Sequence, residues 1–100
     1  MFSISWTALA EISYAEEADF ILKKWNYKEV NDFGILVENQ LKLIASNPFI
    51  GKQDLVKANY LLVISKQTTL YYTIDFEKRI IYLIVFWNNL KNPNDLLKLL

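Results

Sequence analysis

Six side chains in this 100-residue sequence have the chemistry to hold a phosphate or to move a proton. Lys52, Lys57 and Lys66 can form a cationic cluster, and Asp54 and Tyr71 are groups that can transfer protons. Arg79 is the only arginine and falls in a predicted turn. The ordinary reading of the same residues is solvated loop lysines, a loop acid and a half-buried strand tyrosine. The sequence has no cysteine and no histidine. Disulfides, zinc fingers, haem ligation, Fe–S clusters and Cys–His or Ser–His–Asp catalysis are therefore excluded. A carboxylate-only Mg²⁺ or Ca²⁺ site needs only oxygens, and Glu16, Glu17 and Asp19 supply them. Adjacent acids on a helix point to different faces, however, so these three read as solvated and no metal site is assigned. Trp6, Trp25 and Trp87 have the rings to stack bases, but in a domain this small they read as core, with Trp25 on an apolar helix stripe. The basic and aromatic residues of Lys66–Tyr72 read as an ordinary hairpin.

Eleven basic and eleven acidic residues cancel. That balance excludes a surface that binds nucleic acid by positive charge alone. With 53% apolar and 15% aromatic residues and two glycines and two prolines, the chain is far too hydrophobic for disorder. The N-terminus shows no signal-peptide pattern, and the longest apolar run, Ile80–Trp87, is too short to span a bilayer. The expectation is one cytoplasmic domain over residues 1–100.

The elements that must position these groups follow from periodicity. Phe2–Trp6 alternates as a half-buried strand does. Ala10, Tyr14, Ala18, Ile21 and Trp25 share one helix face, with acids early and Lys23 and Lys24 late, matching the helix dipole. Asn26 and Glu29 have the spacing of a capping box that opens a second helix, with Val30, Phe33, Val37, Leu41 and Ile44 inward. Gly34 is a mild defect in it, and Asn47–Pro48 ends it near Ser46. Tyr60–Ser65, Thr69–Asp75 and Ile80–Trp87 read as an antiparallel meander joined by tight turns. Ile80–Trp87 is apolar on both faces and so belongs inside the sheet. Asn92-Pro93-Asn94-Asp95 starts a short C-terminal helix carrying Leu96, Leu97, Leu99 and Leu100. The order β-α-α-β-β-β-α describes an α+β fold, a helical hairpin packed on one face of a small, mainly antiparallel sheet. The other face of Ile80–Trp87 needs a cover, from the C-terminal helix or from a partner.

Five motifs, in order, resemble the RelE/ParE superfamily of bacterial toxins from type II toxin–antitoxin systems. They are Trp6-Thr7-x-x-Ala10, the helical hairpin with Trp25 and Phe33, Leu43-Ile44-x-x-Asn47-Pro48-x-Ile50-Gly51, Leu62-Val63-Ile64-Ser65-Lys66-x-x-x-Leu70-Tyr71-Tyr72, and Phe86-Trp87-Asn88-Asn89 followed by Asn92-Pro93. The resemblance implies a toxin domain that inhibits growth, of the kind associated with plasmid stabilisation. A cognate antitoxin would hold it inactive, wrapping the sheet and hairpin and covering Leu96, Leu97 and Leu100. No cofactor and no membrane are implied. A homodimer and a toxin–antitoxin hetero-oligomer both stay open.

Two activities occur in this superfamily. RelE-like members cleave mRNA on the ribosome and need a base, an acid and cations around the phosphate. ParE-like members poison DNA gyrase by binding it. Where cleaving relatives carry arginine, this chain resembles them in position but has Thr69. Asn88-Asn89 stands where one cleaving subgroup has His-Tyr, and the tail arginine is replaced by Leu90 or Lys91. Lys52, Lys66, Tyr71 and Arg79 are the remaining catalytic candidates. The expectation is a ParE-like toxin acting through protein contacts. The alternatives are a ribosome-dependent endoribonuclease, or a non-toxic binding module with the same fold.

Overall fold

The computed structural model describes residues 1–54 and 59–100. Strand β1 (Ser3–Trp6) leads into two helices, α1 (Ala8–Lys24) and α2 (Tyr27–Ser46), which meet at Trp25–Asn26. A 3-10 turn at Pro48–Ile50 follows, then strands β2 (Lys52–Asp54), β3 (Asn59–Val63), β4 (Thr68–Asp75) and β5 (Ile80–Asn88), and last the short helix α3 (Pro93–Leu97). The strands form one sheet in the order β1-β5-β4-β3-β2, with β1 parallel to β5 and every other pair antiparallel. The predicted element order is therefore present, with one addition. Strand β2 is three polar residues, Lys-Gln-Asp, with no apolar alternation to mark it, and only its pairing with β3 makes it a strand.

Local capping sets the helix ends. Thr7 accepts from the Ala10 N–H at the start of α1, and Asn26 accepts from the Glu29 N–H at the start of α2. The first core lies between the helices and the sheet and is built on Ala10, Ile21, Phe33, Ile44, Leu70, Tyr72, Ile81 and Leu83. Four rings fill its β1 end. Tyr14 stacks on Phe33 at 5.5 Å and meets Trp6 and Phe86 edge-on at 5.5 and 5.3 Å, while Trp6 stacks on Phe86 at 5.3 Å. Gly34 has its reason here, since a Cβ at this position would stand 3.2 Å from the Tyr14 hydroxyl.

Two sequence expectations fail on α1. Trp25, placed on the apolar stripe, is 49% exposed, and Glu17, read as solvated, is 3% exposed. The buried face of α1 is Ala10, Ser13, Glu17 and Ile21, rotated from the expected stripe. Polar groups face inward because the sheet offers them partners. Glu17 accepts from the buried Thr68 hydroxyl at 2.5 Å, and Ser13 accepts from the Phe86 N–H at 2.9 Å. Among the described residues no buried side-chain polar atom lacks a partner.

β5 is internal, as its double-sided apolar sequence requires. Its alternation breaks between the pairs Tyr71↔Val85 and Tyr72↔Leu83, where a bulge inserts Ile84. Leu83 and Phe86 consequently face the first core, while Ile84, Val85 and Trp87 face the other side of the sheet. There Val85 and Trp87 pack with Leu96 of α3 in a second, smaller core. The chain thus covers this end of the second face with its own C-terminal helix.

Tyr72 ties the 3-10 turn to the sheet. Its buried hydroxyl donates to the Pro48 carbonyl (2.7 Å) and accepts from the Gly51 N–H (3.0 Å). Gly51 is required by close approach, because a Cβ there would collide with that hydroxyl and stand 2.9 Å from the Leu61 carbonyl oxygen. Tyr72→Phe strands two buried backbone groups and should cost about 1–3 kcal/mol in chemical denaturation, and Gly51→Ala should destabilise as well. Burial also raises the Tyr72 phenol above 10.0, only partly offset by the Gly51 bond, and raises Tyr14 and Tyr71 in the same direction. The folded state therefore holds these protons more tightly than the unfolded chain does. Their stabilisation is complete below pH 10 and is lost as pH rises through the folded-state values. Urea midpoints measured across this alkaline range should fall, and fall less steeply in the Tyr72→Phe variant.

Candidate functional site

The second face of the sheet has two parts. Near α3 it is covered by Leu96, and from that covered end cross-strand rows of side chains run towards the other strands. One row runs Lys52, Leu61, Tyr71 and Val85, and another runs Thr73, Tyr82 and Ser5. Residues paired directly across strands share a face, so Lys52 and Tyr71 project from the same side, two strands and roughly 10 Å apart. Asp54 belongs to this group. Burial first, and the nearby Asp54 carboxylate second, push the Tyr71 phenol up from 10.0. A neutral tyrosine beside a carboxylate, with a lysine along the row, has the parts to position an anion and pass a proton.

The remaining sequence candidates are not brought to this row. Lys66 sits in the turn between β3 and β4 and lines a cavity of about 260 Å³ with Ile21, Trp25, Glu29 and Phe33, on the helical side of the sheet. Arg79 sits in the turn between β4 and β5, and the eight residues of β4 hold the two turns roughly 23 Å apart. Lys57 lies outside the described residues. The proposed cluster of Lys52, Lys57 and Lys66 is therefore not assembled by Lys52 and Lys66. Among the described residues no group of three His, Cys, Asp or Glu side chains is placed to hold a metal, and no helix is long and apolar enough to cross a membrane.

The positions that the superfamily resemblance marks as catalytic do come together, as neutral groups bonded to one another. The Thr69 hydroxyl donates to Asn89 Oδ1 at 2.9 Å, Asn89 Nδ2 donates to the Lys66 carbonyl at 3.3 Å, and Asn88 Oδ1 accepts from the Leu90 N–H at 2.9 Å. Neither amide titrates in a range useful for acid–base work. Lys91 is directed elsewhere, 3.8 Å from Glu16 and 5.7 Å from the Trp87 ring. Sequence reading located these residues by motif, but their mutual bonding depends on the β4–β5 register, which pairs Thr69 with Trp87 and brings the following asparagines alongside.

The C-terminal leucines separate into different roles. Leu96 is 8% exposed in the second core, whereas Leu97 is 58% exposed and Leu100 is half-buried against that core. The Asp54–Tyr71 coupling has a direct check. Asp54→Asn should lower the Tyr71 phenol towards its ordinary value in an ultraviolet phenolate titration, leaving the part due to burial.

No known family model matches the sequence, and no curated protein matches it. Solved structures do match in fold. The chain superposes on a structure described as the chromosomal ParDE toxin–antitoxin system of P. aeruginosa with a TM-score of 0.72 and 14% identity, covering 88% of this chain and 96% of that one. It superposes on the toxin–antitoxin complex RelBE2 of Mycobacterium tuberculosis with a TM-score of 0.61 and 14% identity, covering 88% and 98%. Strand, helical hairpin, mixed sheet and short terminal helix together are those of one fold: the chain has the RelE/ParE toxin fold.

Proposed function

We propose that this chain is the toxin of a type II toxin–antitoxin system, held inactive by a cognate antitoxin, and that it acts ParE-like, by binding DNA gyrase. The observation that carries the mechanism is the Thr69–Asn89 pair, which puts a closed, neutral hydrogen bond where a nuclease of this fold would need a base and a cation. Both of these solved structures are described as toxin–antitoxin assemblies, and the TM-score is higher with ParDE (0.72) than with RelBE2 (0.61) at the same 88% coverage of this chain, which supports the same branch. The zero net charge supports it too, because ribosomal RNA favours an excess of positive charge.

The Lys52–Tyr71–Asp54 group favours a second reading, a ribosome-dependent endoribonuclease with a reduced site. The two are separated by giving the purified chain to a gyrase supercoiling reaction and to a translating extract. Inhibited supercoiling with broken DNA and intact mRNA is expected. Cleaved mRNA, with cleavage lost in Lys52→Ala or Tyr71→Phe, would overturn the gyrase reading. Unimpaired growth on expression without antitoxin would favour a non-toxic binding module over both toxins.

The antitoxin contacts on α3 divide by burial. Leu97, with Leu100 beside it, offers the outward contact, while Leu96 holds α3 on the sheet. Leu97→Glu should weaken co-purification with the cognate antitoxin, while changing stability by no more than about 0.5 kcal/mol. Leu96→Ala should cost about 2 kcal/mol of stability whether or not antitoxin is present, read from thermal melts.

A further inference from the structure

At the end of the sheet away from α3, a line of aromatic rings runs from the core to the surface. Tyr72 stacks on Tyr60 at 5.5 Å, Tyr60 meets Phe49 at 6.2 Å, and Phe49 stacks on Phe76 at 5.6 Å with planes 20° apart. Phe76 meets Phe2 edge-on at 6.3 Å. The inner rings are buried, but Phe49 is 61% and Phe76 is 53% exposed. Large apolar side chains are usually exposed singly; here two stack on each other in water and are anchored at both ends.

Arg79 closes the line. Its guanidinium carbon lies 4.5 Å from the centroid of the Phe2 ring. Its backbone has φ 56°, the left-handed region that any residue with a Cβ adopts at an energetic cost. The turn keeps this conformation through the Arg79 carbonyl, which accepts from the Ser3 N–H at 3.0 Å. Glycine or asparagine would fit such a turn with less strain. The side chain is exposed, and no ion pair among the described residues involves it. A strained backbone, a ring beneath the guanidinium and a free charge together make a pre-organised anchor of the type that dominates protein interfaces.

We propose that Arg79 and the Phe2–Phe76–Phe49 ridge dock a protein segment that carries one carboxylate next to a bulky apolar side chain. The planar guanidinium fork matches a carboxylate, and the stacked phenyl rings match an apolar neighbour. The surrounding turn selects against a polyanion. Asp75 and Glu77 offset Lys78 and Arg79, so the turn carries no excess positive charge, and Asp75 is fixed there by accepting from the Lys78 N–H at 3.0 Å. A phosphate backbone laid along this end would meet both acids, whereas a single carboxylate needs only Arg79. The proposal is independent of the toxin reading.

The test uses the full chain with three probes: acetyl-Phe-Glu-amide, its neutral counterpart acetyl-Phe-Gln-amide, and oligothymidylate. NMR follows the Phe49 and Phe76 rings and the Arg79 Nε–H. The Glu peptide should give saturable shifts confined to the ridge, with affinity about fivefold weaker for the Gln peptide. Arg79→Gly should abolish that fivefold preference while leaving the melting temperature unchanged or higher, because glycine adopts positive φ freely. Arg79→Gln removes the charge but retains a side chain, and should abolish the preference too. Equal affinity for the two peptides, no shift at the ridge, or stronger binding of oligothymidylate would each overturn the proposal.

Discussion

The structure depends on how the edge of β5 is satisfied where β1 stops. β1 pairs with β5 only as far as Trp6↔Leu83, and β5 carries five residues beyond that point. An unpaired buried backbone group costs about 1–3 kcal/mol, so the edge must find donors and acceptors. The chain supplies them from the start of α1. The Thr7 N–H and hydroxyl both donate to the Leu83 carbonyl, at 3.4 and 2.8 Å, and the Ser13 hydroxyl accepts from the Phe86 N–H. Helix hydroxyls thereby continue a strand ladder. The arrangement demands that α1 lie close against β5, which the fully buried Ala10 permits.

The docked helix and the bulge are parts of one solution. The extra residue at Ile84 turns Val85 and Trp87 to the second face, where Leu96 covers them, and keeps Phe86 in the ring cluster with Trp6 and Tyr14. Without the shift, strict alternation beyond Leu83 would send Val85 and Trp87 to the first face and Phe86 to the second. On the helical face, Tyr72 plays the corresponding part, joining the turn after α2 to the middle strand by its hydroxyl. Two motifs that look like sequence signatures are thus explained by contacts. Trp6-Thr7-x-x-Ala10 is a cap, a ladder extension and a close approach, and Asn47-Pro48-x-Ile50-Gly51 is the receptor for one tyrosine hydroxyl.

Element order was legible from the sequence because it rests on local signals: strand alternation, the Asn26 cap, the Asn47–Pro48 stop and the Asn92–Pro93 start. The failures share a physical origin in long-range partners. Nothing within α1 marks Glu17 as buried; its partner Thr68 lies 51 residues away. Trp25 fits the helix period, yet it stands at the C-cap with the backbone leaving the helix, and the stripe turns away from the core before reaching it. β2 could not be read, since three polar residues become a strand only through β3. The candidate site was half legible. Tyr71 and Lys52 share a row because of register, and Lys66 and Arg79 are parted by the length of β4.

Charge neutrality acquires a geography once the ion pairs are placed. Lys23, Lys28, Lys42, Lys91 and Lys98 each stand within 4.0 Å of a carboxylate, and four of these five pairs lie within a helix or its last turn. Such exposed pairs contribute little to stability, but they cancel the field of the helical half locally. Lys52, Lys66, Lys78 and Arg79 form no ion pair among the described residues, and all belong to the strands and their turns. Apart from Lys24 of α1, whose ammonium lies over the Phe20 and Trp25 rings, these unpaired cations are spread along the sheet, at two turns about 23 Å apart and one edge strand. That separation exceeds the roughly 8 Å screening length at physiological salt, so the Lys66 turn and the Lys78–Arg79 turn act separately and not as one field. Cations spaced this way meet anionic groups at separate points of the surface.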